Sequence, residues 1–236
     1  MRSGDIALNE LLAGGWGFHG WTADDSLDIG LSPEVLAFIV ERVRPGDRTL
    51  ETGSGYSTIA FALAGAEHTA VSPVPWEHER IRRWCDERHI SLTGVRLVEG
   101  FSQDVLPGLG NEPLDFALID GDHSFPTVFV DFYYSAVRLR RGGLLVVDDT
   151  HIRTADILSR FLASESKAGR WRLERRFPTT VAFMKLTETL IELGGWASQP
   201  YCAHPRAVPG TPLWRRLRQQ VRLRSRLREV SEQLRR

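Results

Sequence analysis

The sequence predicts an α/β fold: a doubly wound, mostly parallel seven-stranded sheet with helices on both faces, an N-terminal arm and a C-terminal basic helix. Three observations predict it. Strand-like and helix-like segments alternate from Thr49 to Leu162, the pattern of parallel strands joined by right-handed crossovers. Asp115–Asp120 and Gly143–Asp148 are nearly continuous apolar runs, as strands covered on both faces must be. Between the first strand and its helix lies the turn Gly53-Ser54-Gly55. The boundaries read as an arm or lid over 1–30, the α/β domain over 31–204 and a basic helix over 205–236.

The arm, with Gly14-Gly15-Trp16-Gly17-Phe18-His19-Gly20-Trp21, has no period. It reads as an irregular segment packed on the body, or as a lid whose aromatics close on a ligand. Ser32-Pro33 opens a helix, with Ser32 as N-cap and Pro33 in the first turn, and Arg44-Pro45-Gly46-Asp47 closes it. Thr49–Glu51 is the first strand and Thr58–Ala64 an apolar helix. His68–Ser72 and Val95–Val98 are the next strands, separated by the half-charged helix Glu77–Glu87. Asp115–Asp120, the helix Thr127–Val137, the strand Gly143–Asp148 and the helix Ala155–Leu162 follow. Trp171–Glu174 and Val181–Met184 close the sheet.

The chain is 42% hydrophobic and 25% charged, which excludes wholesale disorder. Its formal charge of +0 points to no polyanionic partner for the chain as a whole. Cys85 and Cys202 are far apart, so neither a disulfide scaffold nor a thiolate metal site is expected. No apolar run is long enough to span a bilayer and the first residues lack a signal peptide's apolar core. The expectation is a cytoplasmic protein.

In open parallel sheets, ligands lie beyond the carboxyl ends of the strands, so the first glycine turn is the place to begin. Gly53 and Gly55 permit close backbone approach. A dinucleotide site wants a third glycine and no carboxylate before the turn. Here Glu51 precedes the turn. It repels a pyrophosphate and attracts an ammonium or a sulfonium, which favours S-adenosylmethionine over NAD.

Three stretches resemble class I S-adenosylmethionine-dependent methyltransferases, a Rossmann-like family, and within it the catechol and macrolide-sugar O-methyltransferase branch. They are Leu50–Thr58, Phe116–Phe125 and Leu139–Asp149. The resemblance implies that Glu51 and Gly53 hold the cofactor's amino-acid end, with Ser54, Gly55, Ser57 and Asp120 also lining its site, and that Gly100-Phe101-Ser102 lies near the adenine. One departure stands out. The second strand of such enzymes ends in an acid that grips the ribose hydroxyls, whereas here it ends in Ser72: either Ser72 and neighbours such as Glu77 compensate, or cofactor affinity is low, or the site has drifted from catalysis.

Asp120, Asp122, Asp148 and Asp149 fall at the ends of neighbouring strands. Crowded carboxylates favour a cation, and hard oxygen ligands suit Mg²⁺. The resemblance implies that Asp120, Asp148 and Asp149 bind such a metal, which would orient and acidify an acceptor hydroxyl. Asp122 and His123 are the two candidate bases, with His151 nearby. The simpler alternatives are that Asp148-Asp149 cap the next helix and that His123 is an ordinary loop histidine. The expected activity is methyl transfer to a hydroxyl of a small molecule, a sugar or a phenol. The alternative is a methyltransferase-fold binding or assembly module.

From Arg206 onward there are ten arginines against two glutamates, and Leu223, Leu227, Val230 and Leu234 form a narrow apolar stripe. The favoured reading is a helix docked on its own domain or on the same helix of a homodimer. A nucleic-acid patch or a membrane-surface helix is less favoured. The acceptor pocket is expected from the arm, the segment after Asp149 and the region from Trp196 to His204.

Overall fold

The computed structural model describes residues 3–20, 22–25, 27, 30–189 and 199–202. The expected C-terminal helix, and all of the Trp196–His204 region except residues 199–202, lie outside them. Residues 199–202 belong to a second unit and contain a short 3-10 turn, Pro200–Cys202.

The first unit carries seven strands: β1 Arg48–Thr52, β2 Glu67–Ser72, β3 Val95–Glu99, β4 Leu114–Ile119, β5 Leu139–Val147, β6 Trp171–Arg176 and β7 Val181–Lys185. Their order is β3-β2-β1-β4-β5-β7-β6. The first five pair in parallel, and β7 pairs antiparallel with both β5 and β6. The helices are α1 Ser3–Ala13, α2 Pro33–Arg42, α3 Tyr56–Leu63, α4 Pro75–Glu87, α5 Ser102–Val105, α6 Thr127–Arg138 and α7 Arg153–Lys167.

Alternate residues of the central strands feed two separate cores. Phe116 and Leu118 of β4 and Leu144 and Val146 of β5 join Val35, Phe38, Ile59 and Phe61 on one face. Ala117, Ile119, Leu145 and Val147 join Val128, Leu158 and Leu162 on the other. This two-sided burial is why these strands read as unbroken apolar runs. Lys185, fully buried at the end of β7, donates from Nζ to the carbonyls of Ala136 (2.8 Å) and Leu139 (2.7 Å) at the end of α6. It satisfies acceptors that a helix end leaves open.

Every predicted strand is present, with ends shifted by a few residues at most. Helix α1 was not expected, because its burial rests on little more than Ala7 and Leu11. Ser32 holds the N-cap position of α2 but makes no side-chain cap, and Pro33 starts the helix as predicted. Asp148 and Asp149 do not cap α7, whose N-cap is Ile152. They are left for other work.

Candidate active site

The strand order reverses between β1 and β4, and a crevice opens at such a switch point. Gly53 and Asp120 meet there. Gly53 has φ 101, a backbone conformation that disfavours side chains. A Cβ on it would also lie 2.2 Å from the Asp120 carbonyl oxygen. The backbones at the ends of β1 and β4 therefore touch.

Glu51 is fully buried beneath this turn. Its Oε1 accepts from the Thr58 hydroxyl and pairs with His68 Nε2 at 3.1 Å, while His68 Nδ1 contacts Thr49 Oγ1 at 2.7 Å. Thr58 Oγ1 also accepts from the Gly55 N–H at 3.0 Å. Glu51 is thus half turned inward, where it braces the turn. Its other oxygen, Oε2, is buried without a hydrogen-bond partner, an arrangement that costs free energy unless a donor arrives.

Where β2 ends in Ser72, a carboxylate approaches from α4. Glu77, in the first turn of that helix and 7% exposed, accepts at Oε2 from the hydroxyls of Ser54 and Ser72, both at 3.2 Å. Its Oε1 meets His19 Nδ1 at 2.9 Å. A carboxylate therefore sits against the ends of both β1 and β2. Ser57 is buried in the first turn of α3.

At the end of β3, a Cβ on Gly100 would strike Val105 at 2.7 Å, and Ser102 opens α5. Beneath lies a residue absent from the predicted site, Asp131 of α6. It is fully buried, and neither oxygen has a hydrogen-bond partner. Thr52 Oγ1 and Ser135 Oγ are in the same condition. Burial pushes the Asp131 carboxyl up. The hydroxyls of Ser102 and Thr52 oppose the shift, although neither reaches bonding geometry.

Across the crevice, His123 Nε2 stands 3.3 Å from Asp149 Oδ2 and 3.8 Å from Asp120 Oδ1. Burial lowers the basicity of His123, but its closeness to Asp120 and the charges of Asp120, Asp149 and Asp148 outweigh this and raise it. Burial pushes the Asp120 carboxyl up to about 7, with Asp148 and Glu51 adding to the rise. Burial likewise raises Asp148, with Asp149 adding to it. Asp148 Oδ1 accepts from the Thr180 hydroxyl, and the Thr154 hydroxyl donates to the His123 carbonyl. Asp149 has φ 51, a left-handed conformation that aspartate tolerates better than most residues. His151 is exposed, with Nδ1 3.6 Å from Asp149 Oδ1.

Of the two candidate bases, the structure brings His123 to the cluster. Asp122 is exposed, and its two oxygens accept from the Ser124 N–H (3.0 Å) and hydroxyl (2.7 Å). Those bonds hold its carboxyl below the usual range, which makes it a weak base. Asp120, Asp148 and Asp149 have the hard oxygens a divalent metal needs. Among the described residues, however, no group of three or more His, Cys, Asp or Glu side chains is arranged to hold a metal ion. His123 lies against both Asp120 and Asp149, and Thr180 holds Asp148. As they stand, the three aspartates do not form a ligand set.

This is the fold of the class I methyltransferases, and residues 50–150, which hold both the glycine turn and the acidic cluster, match a family model described as a methyltransferase domain. Among solved structures the chain resembles the O-methyltransferase TomG from Streptomyces achromogenes in complex with SAM. The TM-score is 0.57 at 20% identity, over 77% of this chain and 90% of that one. It also resembles an O-methyltransferase from Bacillus cereus in complex with SAH, with a TM-score of 0.54 at 20% identity over 77% and 91%. Among curated proteins it is 30% identical to a catechol O-methyltransferase of Mycobacterium tuberculosis over 131 residues, 54% of this chain and 58% of that protein. The matches to such relatives span 58–62% of their length. Among the described residues no helix is long and apolar enough to cross a membrane.

Proposed function

We propose that the protein is an O-methyltransferase that carries the methyl group of S-adenosylmethionine to a hydroxyl of a small molecule, a sugar or a phenol. One observation carries this reading. At the switch point, a glycine turn walled by Glu51 and Glu77 stands beside a histidine–carboxylate pair of raised basicity. The free Oε2 of Glu51 suits the cofactor's ammonium. Glu77, with Ser54 and Ser72, suits the ribose hydroxyls. A carboxylate accepts such hydroxyls more strongly than a neutral serine would, so the serine at the end of β2 does not argue for a catalytically silent module.

In the transfer, a lone pair of the acceptor oxygen attacks the methyl carbon while the carbon–sulfur bond breaks, leaving S-adenosylhomocysteine. The acceptor's proton passes to the His123–Asp120 pair. Asp149 steadies the imidazolium formed. The experiment is transfer of labelled methyl from S-adenosylmethionine to a panel of phenols and hexoses. Label in a phenol or sugar supports the reading, and cofactor binding without label in any acceptor counts against it.

A second reading, in which a divalent cation assists, is favoured by two neighbouring carboxylates, Asp120 and Asp148, that burial raises and a nearby acid raises further. It requires His123 to yield its place. Turnover that survives EDTA rejects it, and turnover restored by Mg²⁺ after EDTA supports it.

A further inference from the structure

The arm is bolted down, and it delivers one side chain to the glycine turn. Arg80 of α4 donates from Nη1 to the carbonyls of Gly17 (3.3 Å), Phe18 (3.1 Å) and His19 (2.8 Å), and from Nη2 to those of Ala23 (2.9 Å) and Asp25. Trp76 Nε1 donates to the Gly20 carbonyl at 3.3 Å, and the Trp16 N–H donates to the Tyr56 hydroxyl at 2.9 Å. Phe18 is buried edge-on against Tyr56 and Trp84. A flexible lid has few such ties.

What these ties fix is His19. Its Nδ1 is taken by Glu77. Its Nε2 faces the turn, where a Cβ on Gly55 would come within 2.9 Å of it and a Cβ on Gly30 within 3.9 Å. The imidazole therefore fits in space that Gly55 leaves open. Burial lowers its basicity, but Glu77, Asp120 and Glu51 together raise it, so that it is more readily a cation than a free histidine. The amino-acid end of S-adenosylmethionine carries an ammonium and a carboxylate. Glu51 suits the first, both Glu51 and Glu77 repel the second, and His19 sets a ring nitrogen against the turn at Gly55.

We propose that His19 donates from Nε2 to the carboxylate of the cofactor's amino-acid end, and that Arg80 is a positioning residue that holds the arm in place for this contact. The inference rests on the methyltransferase reading.

The test is calorimetry on the full chain with two ligands. S-adenosylhomocysteine carries the carboxylate, and 5′-methylthioadenosine shares the nucleoside and thioether but lacks the amino acid. His19→Ala is expected to weaken S-adenosylhomocysteine about tenfold or more, as loss of a hydrogen bond to a charged group does, and to leave methylthioadenosine within about twofold. His19→Gln, which keeps a donor, should recover part of the loss. Arg80→Met should show the same selectivity to a smaller degree. Equal weakening of both ligands overturns the proposal, because His19 then serves the nucleoside or the fold. Tighter binding of both also overturns it, because His19 then plugs the turn. A wild-type chain that binds neither ligand removes the methyltransferase reading itself, an outcome distinct from either of these.

Discussion

The two halves of the crevice are built on opposite electrostatic plans. At the ends of β1 and β2, each carboxylate is met by donors: Glu51 by Thr58 and His68, and Glu77 by Ser54, Ser72 and His19. At the ends of β4 and β5, three aspartates crowd together, two have raised pKa values, and His123 is the base that faces two of them. A half whose carboxylates are braced by donors holds its shape, and the one oxygen left open, Glu51 Oε2, can select a ligand. A half with surplus negative charge gains from taking up a proton. Under the proposed function, the contrast puts recognition in the first and chemistry in the second.

The largest effect that would break this division is at His123. His123→Ala is expected to lower kcat by about 100-fold or more with S-adenosylhomocysteine affinity nearly unchanged, checked by steady-state rates beside calorimetry. A loss of affinity with kcat retained would put His123 in the recognition half. Next in size is Glu77→Gln, which keeps the shape and removes the charge. It should weaken S-adenosylhomocysteine about tenfold, because charge-assisted hydrogen bonds are roughly twice as strong as neutral ones, and leave kcat at saturation close to wild type.

The pH profile sharpens the same contrast. A base must be unprotonated to act, so kcat should be low in acid and rise through an apparent value above the 6.5 of an ordinary histidine. Asp149→Asn removes a carboxylate that raises His123 and should move the rise to lower pH. A profile flat from pH 5 to about 9 would rule out the His123–Asp120 pair as the proton acceptor.

The smallest effect concerns the floor beneath the recognition half. The Asp131 carboxyl is raised in the folded state above its reference 3.8, so the native state binds its proton more tightly than the unfolded chain. Stability then falls as pH rises from the unfolded pKa through the raised folded one. Asp131→Asn carries no such proton. Its melting temperature relative to wild type should increase across that window and then level off, a gain of a few degrees, with about 2–4 °C expected per kcal/mol at this chain length. A difference independent of pH would show that Asp131 does not titrate with folding.

The sheet was legible because burial on both faces leaves an apolar signature, as in Phe116–Ile119 and Leu144–Val147. The glycine turn was legible because backbone contact demands glycine, as at Gly53. The partners of the turn were harder to read. Glu77 was visible only as a neighbour of Ser72, since its aim depends on the phase of α4 against two strand ends. His19 lies in an irregular segment whose path is set by Arg80, a residue far along the chain, and no local period encodes that. Asp131 did leave a signal: a single acid within the otherwise apolar stretch Val128–Tyr134. A charge there must be buried, paired or functional.

One contact described above reaches further than its size. The side-chain carbon that Gly53 lacks would be opposed by main chain, the Asp120 carbonyl, and the Gly53 N–H is itself held by the Val71 carbonyl at 2.9 Å. A methyl group placed there acts as a wedge that no rotamer change can relieve. It must pry the tip of β1 from that of β4. Those two strand ends carry the proposed cofactor site, so a single added carbon is expected to disturb the mouth of that site before either hydrophobic layer below it.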